Sequence, residues 1–502
     1  MSGIWLGADL GTSAVKVVAV DGGGEVLASE AIAYPLQSPQ AGWVEQRPHD
    51  WWDSTAEGLR AIAGRIDTGA VLGIGLTGQM HGLVGLDSQG EVLRDAILWN
   101  DNRNSAECAW VVEQVGSLDR LLALTNNAAL PGYTMGKILW VRTHEPELFE
   151  RIDVALNPKD YLRYRLTGDR VTDVSDASGT GLLDVRRRIW STELLAALDL
   201  PESILPRVVE SPDVTGQLTA SLAASLGLPP GIPVVGGGGD SVLQTTSMGI
   251  DRPGVLGVTL GTAGILAAAT NTCPDNVGGR VQVSCNNAPD LWHIMGVSLS
   301  TGGALHWWRK ALTPLTGKQP DAALLAGLAA RSPVGARGLH FLPYLVGERC
   351  PHTDPEARGA WVGLDLRHDL TDLTRAVVEG ALLNLRQTRD VFVDLGLATD
   401  DVRMSGGASV HPIWAQTLAD VLATPVQSVT GGEHGAAYGA ALLAGVGTGH
   451  WPSVSVALGR VRVTGVVEPD PRSVAIHDQS FAEWSRLYPA LRQARASEAC
   501  HE

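Results

Sequence analysis

The same strand–turn–strand pattern occurs twice in this chain, once at its start and once near its middle. The first copy runs from Ile4 to Val20 and the second from Gly254 to Leu266. In both copies, apolar runs that suit buried strands flank a Leu-Gly-Thr turn. Backbone N–H groups in such a turn can point into one space and bind phosphate oxygens. The repeat therefore predicts two related lobes that face one nucleotide.

The length of the chain supports a division into two lobes. At 502 residues, the chain is too long for a single hydrophobic core. We place the boundary near residues 245–255. Residues 1–247 then form an N-terminal lobe and residues 248–502 a C-terminal lobe.

Hydrophobic periodicity predicts alternating β-rich and α-rich zones. Residues 4–35 are expected to form a three-stranded meander. Of the predicted helices, those over 412–422 and 436–444 are expected to close the second lobe. The main helices are predicted over these ranges: 48–65, 117–124, 137–144, 158–166, 372–395, 412–422 and 436–444.

The charge balance narrows the class of partner. Thirty-eight basic and 54 acidic side chains give a net charge of −16. A nucleic-acid binder would carry a basic face, and an anionic membrane would repel this chain. We therefore expect small-molecule partners, with no nucleic acid and no membrane.

The five cysteines are scattered, and none forms a C-x-x-C pair. A disulfide scaffold or a zinc site is therefore not expected, and a reducing cytosol fits the composition. The N-terminus lacks the basic region and the apolar stretch of a signal peptide. These features predict a cytoplasmic protein.

One glycine motif is misleading. Residues Gly73 to Gly78 match G-x-G-x-x-G and follow a strand. A dinucleotide fold needs a helix to begin there, with its N-terminus on the pyrophosphate. Here a second apolar strand, Leu83 to Leu86, follows instead. We therefore reject a dinucleotide site, and the chain also lacks a G-x-x-x-x-G-K-[ST] phosphate loop.

A second run of glycines is followed directly by an acidic residue. Four consecutive glycines, Gly236 to Gly239, follow a short β-branched segment and precede Asp240 and Ser241. Bare backbone allows a ligand to approach closely. A carboxylate held at the end of a buried strand can take a proton from a hydroxylic substrate. An Asp cap on a glycine turn is the alternative interpretation of the same residues.

The chain resembles the FGGY family of carbohydrate kinases, and within it the xylulokinases, from Ile4 to about Gly447. Two long family patterns and several shorter xylulokinase patterns carry this resemblance. They comprise Gly132-Tyr133-Thr134 with Lys137-Ile138 and Trp140-Val141, Gly359 with Trp361 and Gly363-Leu364 through Glu379, Gly78-Gln79-Met80-His81-Gly82, Ile97 to Asp101, Pro158 to Leu162, and Phe341 to Tyr344.

The resemblance implies an α/β fold of the actin-like, ribonuclease-H-like type. It is a duplicated two-lobe ATPase fold with a central cleft that holds sugar and MgATP. Asp240 would be the catalytic base, and Asp9 and Asp240 would face Mg²⁺. The residues that would hold ATP are Gly11, Thr12, Ser13, Lys16, Gly261, Thr262, Gly406 and Gly407.

The sugar would lie on the N-terminal lobe. The resemblance assigns Met80 and His81 to sugar binding, and Gln79 belongs to the same motif. Ser241 lies next to the base. Trp43 would form an apolar wall of the pocket, or would pack on its own lobe as a surface-loop aromatic.

Three positions depart from the family pattern. Xylulokinases usually have Asn where this chain has Ser241, and Ser where it has Ala263. The basic residue that usually follows the adenosine loop is replaced by Ala408, Ser409 and Val410. The change at Ser241 weakens the assignment of the substrate more than that of the reaction.

The predicted reaction is ATP-dependent phosphorylation of a pentulose, D-xylulose to D-xylulose 5-phosphate. A kinase for another ketopentose or a pentitol, namely D-ribulose, L-xylulose, xylitol or arabinitol, is the first alternative. A non-catalytic actin-like protein that binds ATP and responds to sugar is the second. The family also implies a homodimer.

Overall fold

A computed structural model describes residues 3–430 and 434–498. The described chain divides into two compact units. The first unit contains the residues up to Arg252 together with Ala269–His293 and His434–Val461. The second unit contains the remaining described residues. Two later segments of the chain thus complete the first unit. The division into functional lobes over residues 1–247 and 248–502 stays a prediction.

The strands among the described residues fall in chain order as follows: Ile4–Leu10 (β1), Ala14–Asp21 (β2), Val26–Ala33 (β3), Glu45–Gln46 (β4), Val71–Gly78 (β5), Val84–Leu86 (β6), Ala96–Ile97 (β7), Val154–Leu156 (β8), Val171–Asp173 (β9), Leu183–Asp184 (β10), Ile189–Trp190 (β11), Arg207–Val209 (β12), Val214–Gln217 (β13), Pro233–Val235 (β14), Gly238–Gly239 (β15), Val255–Leu260 (β16), Gly264–Thr270 (β17), Gln282–Cys285 (β18), Trp292–Ser298 (β19), His340–Leu342 (β20), Ala360–Val362 (β21), Asp401–Ser405 (β22), Val426–Val429 (β23) and Val463–Val467 (β24).

The α-helices among the described residues are these: Pro48–Ala63 (α1), Ser105–Val115 (α2), Leu118–Thr125 (α3), Thr134–His144 (α4), Pro146–Phe149 (α5), Pro158–Thr167 (α6), Val174–Ser178 (α7), Thr192–Ala197 (α8), Ala220–Leu226 (α9), Asp240–Ser247 (α10), Gly302–Thr316 (α11), Ala322–Arg331 (α12), Leu370–Asp394 (α13), Pro412–Leu422 (α14), Gly435–Gly447 (α15), Val454–Leu458 (α16), Pro471–Trp484 (α17) and Leu487–Glu498 (α18).

The first unit is built on a mixed sheet in the order β13-β14-β5-β1-β2-β3, with β15 also paired to β5. Strands β1, β2 and β3 form an antiparallel meander, and β5 runs parallel to β1. The predicted meander over 4–35 is therefore confirmed. Its central strands carry apolar residues on both faces because helices cover both sides of the sheet.

Helix α15 corrects one prediction. We expected it to close the second lobe, but it belongs to the first unit and packs on β1 and β5. A Cβ at Gly7 would lie 2.0 Å from the carbonyl oxygen of Ala437, and one at Gly75 would lie 1.9 Å from that of Ala440. Only glycine lets the helix backbone approach this closely. Close packing by α15 therefore explains Gly75 of the G-x-G-x-x-G match, which lies wholly within β5.

The second unit repeats the strand pattern of the first. Its sheet contains neighbouring strands in the order β17-β16-β22-β23-β24. Strands β16 and β17 form an antiparallel hairpin, and β22 runs parallel to β16. This arrangement matches that of β1, β2 and β5, so the internal repeat predicted from the sequence is a structural duplication.

The long helix predicted over 372–395 is α13, and its capping box explains where it starts. The Asp369 side chain accepts from the backbone at Thr371 and Asp372, and the Asp372 side chain accepts from the N–H of Asp369. Among the described residues, no helix is both long and apolar enough to cross a membrane.

Candidate active site

Asp240 is the first residue of α10 and directly follows β15. Its carboxylate accepts hydrogen bonds from the backbone N–H of Ser241 at 2.7 Å and from the Ser241 hydroxyl at 3.3 Å. Burial nevertheless raises the pKa of Asp240 to about 6, against the lowering effect of those bonds and of the Met80 N–H. A base with a pKa near 6 is ionised at neutral pH and still able to accept a proton.

Asp9 lies near the end of β1, and its Oδ1 is buried without a hydrogen-bond partner. Burial and then the negative charge of Asp240 raise the pKa of Asp9 to about 7, while Lys16 lowers it. The two carboxylates therefore lie within each other's field. An unpaired buried carboxylate oxygen beside a second carboxylate is a donor set that suits a hard cation such as Mg²⁺.

Only a few protein side chains would bind a metal ion at such a site. Among residues 3–430 and 434–498, no group of three or more His, Cys, Asp or Glu side chains is arranged to hold a metal. Mg²⁺ commonly keeps several waters and takes only one or two carboxylates in phosphate-transfer sites. The residues present therefore fit Mg²⁺ bound together with a phosphate ligand.

The first hairpin turn is held firmly by side chains from other segments. Gln46 Nε2 donates to the Thr12 carbonyl at 2.7 Å, and Trp99 Nε1 donates to the Thr12 hydroxyl oxygen at 3.0 Å. The N–H of Gly11 donates to the Ala14 carbonyl at 3.1 Å inside the turn. Gly11 thus shapes the turn, whereas Ser13 is exposed at its tip.

Tyr34 is a site residue that sequence reasoning missed. Its hydroxyl donates to the Gly11 carbonyl. Burial and then the charges of Asp9 and Asp240 raise the pKa of Tyr34. The phenol therefore stays protonated beside both carboxylates. Tyr34 directly follows β3, where nothing in the sequence distinguishes it from an ordinary strand-end aromatic.

The Gln-Met-His segment follows β5, and its Met80 N–H donates to the Asp240 carboxylate. A Cβ at Gly239 would lie 2.5 Å from Met80 Sδ, so the glycine before Asp240 leaves the room that Met80 fills. Gln79 Nε2 donates to Gln46 Oε1 at 2.9 Å. Gln79 Oε1 is buried and has no hydrogen-bond partner, and whether it accepts from a sugar hydroxyl stays a prediction.

His81 is held in an unusual conformation. Its φ of 73° lies in the left-handed region that non-glycine residues seldom adopt. Its Nδ1 lies 2.6 Å from the Gly179 carbonyl, so Nδ1 carries the proton and donates. Its ring lies 4.9 Å from that of Tyr133, and its carbonyl accepts from the Thr134 hydroxyl at 3.1 Å. Backbone strain retained in a motif that contacts Asp240 favours a functional role for His81.

Trp43 packs on its own unit. The guanidinium of Arg103 lies 3.7 Å from the centre of the Trp43 ring, and Trp140 meets that ring edge-on at 5.3 Å. Arg103 is held in turn by Asp101, with Nη2 and Oδ2 2.7 Å apart. The ring is thus fixed in place and half-buried. Whether Trp43 also contacts sugar stays a prediction.

Lys16 directly faces Asp9 across the first hairpin, since the two residues are paired between β1 and β2. The alternation along β2 left two directions open for this side chain. Its positive charge reaches Asp9, whose pKa it lowers. Contact between Lys16 and phosphate stays a prediction.

A groove in the second unit brings the second hairpin and the predicted adenosine loop together. Gly261 and Thr262 line it on one side and Gly407 on the other, in a space of about 640 Å³ including its open mouth. The N–H of Gly302 donates to the Gly261 carbonyl at 2.9 Å, which seats the turn on the start of α11. His306 and Arg309 of α11 also line the groove and were missed from the sequence.

The two glycines of the adenosine loop have different roles. Gly406 has a φ of 97°, and a Cβ there would lie 2.6 Å from the carbonyl oxygen of Leu260. A Cβ at Gly407 would have no described atom within 4 Å. Gly406 therefore permits the fold, and Gly407 leaves the groove open.

The described residues thus include a buried carboxylate pair, Asp9 and Asp240, in the first unit and a groove lined by glycine backbone in the second. The model of the FGGY family of carbohydrate kinases matches residues 4–247 with its N-terminal domain and residues 256–448 with its C-terminal domain. The chain is 37% identical to the xylulose kinase of Escherichia coli strain K12 over 97% of this chain and 99% of that one.

Solved structures agree with this match. The crystal structure of xylulose kinase from Rhodospirillum rubrum is 32% identical and superposes with a TM-score of 0.90, over 98% of this chain and 99% of that one. A gluconate kinase from Lactobacillus acidophilus is 26% identical and superposes at 0.91, over 98% of both chains. The predicted two-lobe α/β architecture of the actin-like type is confirmed.

The chain belongs to the FGGY family of carbohydrate kinases. It is an ATP-dependent sugar kinase, and xylulose kinases of this family use ATP with Mg²⁺.

Proposed function

We propose that this kinase phosphorylates a pentulose, converting D-xylulose to D-xylulose 5-phosphate, with Asp240 as the general base. The observation that carries the proposal is the Asp240 carboxylate, which lies beside Met80 and has a pKa raised to about 6. A second carboxylate, that of Asp9 near the end of β1, feels the charge of Asp240 and supports the proposal.

The proposed step is a direct transfer. Asp240 takes the proton from the sugar hydroxyl, and the hydroxyl oxygen forms a bond to the γ-phosphorus of ATP. The bond from that phosphorus to the bridging oxygen breaks, and ADP leaves with the electron pair. Placement and charge neutralisation supply most of the acceleration in such transfers.

Asp9 is the residue we assign to Mg²⁺, with Asp240 beside it, because its Oδ1 is buried and unpaired. When bound, Mg²⁺ neutralises charge on the phosphates. The Tyr34 hydroxyl and the Gln46 amide keep the hairpin next to Asp9 in one conformation.

The sugar is proposed to contact the Gln79, Met80 and His81 segment, with Trp43 as a wall and Ser241 next to the base. The Ser241 hydroxyl lies 3.3 Å from Asp240 Oδ1 and so supports the base. ATP is assigned to the Gly11–Ser13 turn with Lys16, to the Gly261–Thr262 turn, and to the Gly406–Gly407 loop. The N-terminal half, 1–247, is then the sugar-binding and catalytic lobe, and 248–502 the nucleotide-binding lobe.

The setting of the protein is part of the proposal. We infer a homodimer in the cytoplasm that binds neither nucleic acid nor a membrane. The net charge of −16 supports the last two points.

The identity of the acceptor is the least constrained part of the proposal. The gluconate kinase from Lactobacillus acidophilus superposes as well as the xylulose kinase from Rhodospirillum rubrum. The fold therefore does not select the sugar, and the residues around Gln79 to His81 must do so. Another ketopentose or a pentitol is the alternative acceptor.

The test is a coupled ADP-release assay with D-xylulose, D-ribulose, L-xylulose, xylitol and D-arabinitol. We expect the highest kcat/KM for D-xylulose. The Asp240→Asn variant should lose on the order of 10²–10⁴-fold in kcat, which is the usual loss when a general base is removed. It should keep its affinity for ADP, measured by calorimetry. A higher kcat/KM for another acceptor would reassign the substrate, and near-wild-type turnover of Asp240→Asn would exclude this residue as the base.

A further inference from the structure

Asp240 directly follows four glycines, and this stretch of backbone has no side chains that could hold it in place. Residues Gly236 to Gly239 must therefore be fixed by contacts from other segments. The N–H of Gly236 donates to the Asp213 carbonyl at 2.8 Å, and that of Gly237 to the Ser211 carbonyl at 3.0 Å. The N–H of Gly239, the last before Asp240, donates to the Ser175 hydroxyl oxygen at 3.0 Å.

The Ser175 hydroxyl has its orientation fixed. It donates its one hydrogen to Asp173 Oδ2 at 2.6 Å, and the Ser175 N–H donates to the same oxygen at 2.9 Å. Since a hydroxyl has a single hydrogen, its lone pairs remain for Gly239 N–H and for Asn287 Nδ2, which lies at 3.1 Å. The charged Asp173 carboxylate thus fixes the orientation of the Ser175 hydroxyl, whose oxygen accepts from the Gly239 N–H.

Asn287 extends the same network to the helix behind the base. Its Nδ2 also donates to the Ser211 hydroxyl oxygen at 3.2 Å, and that hydroxyl donates to Asp173 Oδ2 at 2.7 Å. Its Oδ1 accepts from the Thr246 hydroxyl at 3.1 Å. Thr246 belongs to α10, which Asp240 begins, so the network holds the chain both before and after the base.

Two buried cations, Lys159 and Arg163, pair with the carboxylates of this cluster. Lys159 Nζ lies 2.6 Å from Asp160 Oδ1 and 3.0 Å from Asp173 Oδ1, and it donates to the Gly236 carbonyl at 3.2 Å. Arg163 Nη2 lies 3.5 Å from Asp160 Oδ1. All of these side chains are fully buried. A buried network whose charges are paired has few alternative arrangements, because each alternative leaves a charge without a partner.

We propose that Ser175 is a positioning residue for the Asp240 base. The buried Lys159–Asp173 cluster fixes the Ser175 hydroxyl, and this hydroxyl, which accepts from the Gly239 N–H, fixes the position of the catalytic carboxylate. The inference rests on the proposed role of Asp240. A hydroxyl that holds the preceding peptide sets where the carboxylate stands relative to the sugar hydroxyl. A displacement of about 1 Å at such a position can lower turnover by about 100-fold.

The chain offers a matched control for the test. Ser175 and Ser211 both donate to Asp173 Oδ2 and both accept from Asn287 Nδ2, but of the two hydroxyls only that of Ser175 accepts from Gly239. Ser175→Ala and Ser211→Ala therefore remove the same pair of cluster contacts. They differ in the single contact to the residue before the base.

The experiment measures kcat per nucleotide-binding site, with sites counted by ADP titration, together with KM for D-xylulose and KM for ATP. We expect Ser175→Ala to lose about 10- to 100-fold in kcat with both KM values near wild type. Ser211→Ala should stay within a few-fold of wild type in kcat. The melting temperature of Ser175→Ala should fall further than that of Ser211→Ala, because Ser175→Ala also leaves the buried Gly239 N–H without its acceptor.

Equal kcat values for the two variants would overturn the proposal, as would a loss that appears in KM alone. Asp240→Asn, measured alongside, separates the two ideas. If Asp240→Asn is inactive while Ser175→Ala matches Ser211→Ala, the base stands and the positioning role fails. If Asp240→Asn is active, the base assignment itself fails.

Discussion

The two hairpins of the duplication share their strand pairing but differ in turn length and in chemistry. In the first, Asp9 on β1 pairs with Lys16 on β2 and with Thr77 on the parallel strand β5. In the second, the equivalent position is Thr259, which pairs with Ile265 and with Ser405. In both, the glycine N–H closes the turn, to Ala14 in the first and to Ala263 in the second.

This difference between the two hairpins predicts a different role for each of them. The first hairpin has a buried carboxylate, that of Asp9, whose pKa is raised to about 7 by burial and by the charge of Asp240. The second has a hydroxyl pair, Thr259 and Ser405, 3.1 Å apart, and a groove with bare glycine backbone. We therefore expect changes in the first hairpin to lower kcat and changes at the second to alter nucleotide affinity.

The largest effect is expected at Asp9. Asp9→Asn should lower kcat by about 10²- to 10³-fold, because it removes a charge from a preorganised electrostatic site. The matched change in the other hairpin, Thr259→Val, should leave kcat within a few-fold of wild type. Steady-state kinetics at saturating ATP and sugar measure both, and comparable losses in the two variants would contradict the division of roles.

The next effect concerns the groove beside the second hairpin. Gly407→Ala adds a methyl group that meets no described protein atom but enters the groove. It should raise KM for ATP by about 10-fold, as a steric change of one carbon commonly does, with kcat little changed. Gly465→Ala, where an added Cβ also has open space, is the control. A drop in kcat at constant KM would place the loop in catalysis.

Stability should depend on pH through Asp9 but not through its counterpart. The pKa of Asp9 is about 7 in the folded state, against an ordinary value of 3.8. Between these values the folded state binds the proton and the unfolded state does not, so stability falls as pH rises from about 4 to about 7. Without Mg²⁺ and ATP, Asp9→Asn should melt above wild type at pH 8, and the difference should vanish near pH 4.

The control for this effect is again Thr259→Val. Its melting temperature should differ from wild type by the same amount at both pH values, because no ionisable side chain stands at position 259. A pH-independent difference for Asp9→Asn would mean that the Asp9 carboxylate is not destabilised by burial.

The smallest effect is expected at the tips of the turns. The first turn ends in Ser13 and the second in Ala263. Ala263→Ser restores a hydroxyl and should lower KM for ATP by a few-fold, since a single added hydrogen bond contributes about 0.5–1.5 kcal/mol. Ser13→Ala should raise KM by a similar factor. No change in either variant would show that neither hydroxyl reaches a phosphate.

Local pattern was sufficient to predict much of the secondary structure and the duplication. The helix predicted over 412–422 is α14, and the meander over 4–35 is β1 to β3. Periodicity and turn residues act over a few positions, so they can be recognised without the rest of the chain. The same local reasoning correctly rejected a dinucleotide site at Gly73 to Gly78, because a strand follows rather than a helix.

The sequence by itself determined the family, the reaction class and the position of Asp240 at the end of a glycine run. Only the tertiary structure decided that α15 packs on Gly7 and Gly75, that Tyr34 lies beside both carboxylates, and that Ser175 binds the residue before the base. These contacts join residues that are distant along the chain. Burial and charge at such contacts depend on neighbours that no local pattern specifies, and this is why the pKa values of Asp9 and Asp240 emerge only from the folded protein.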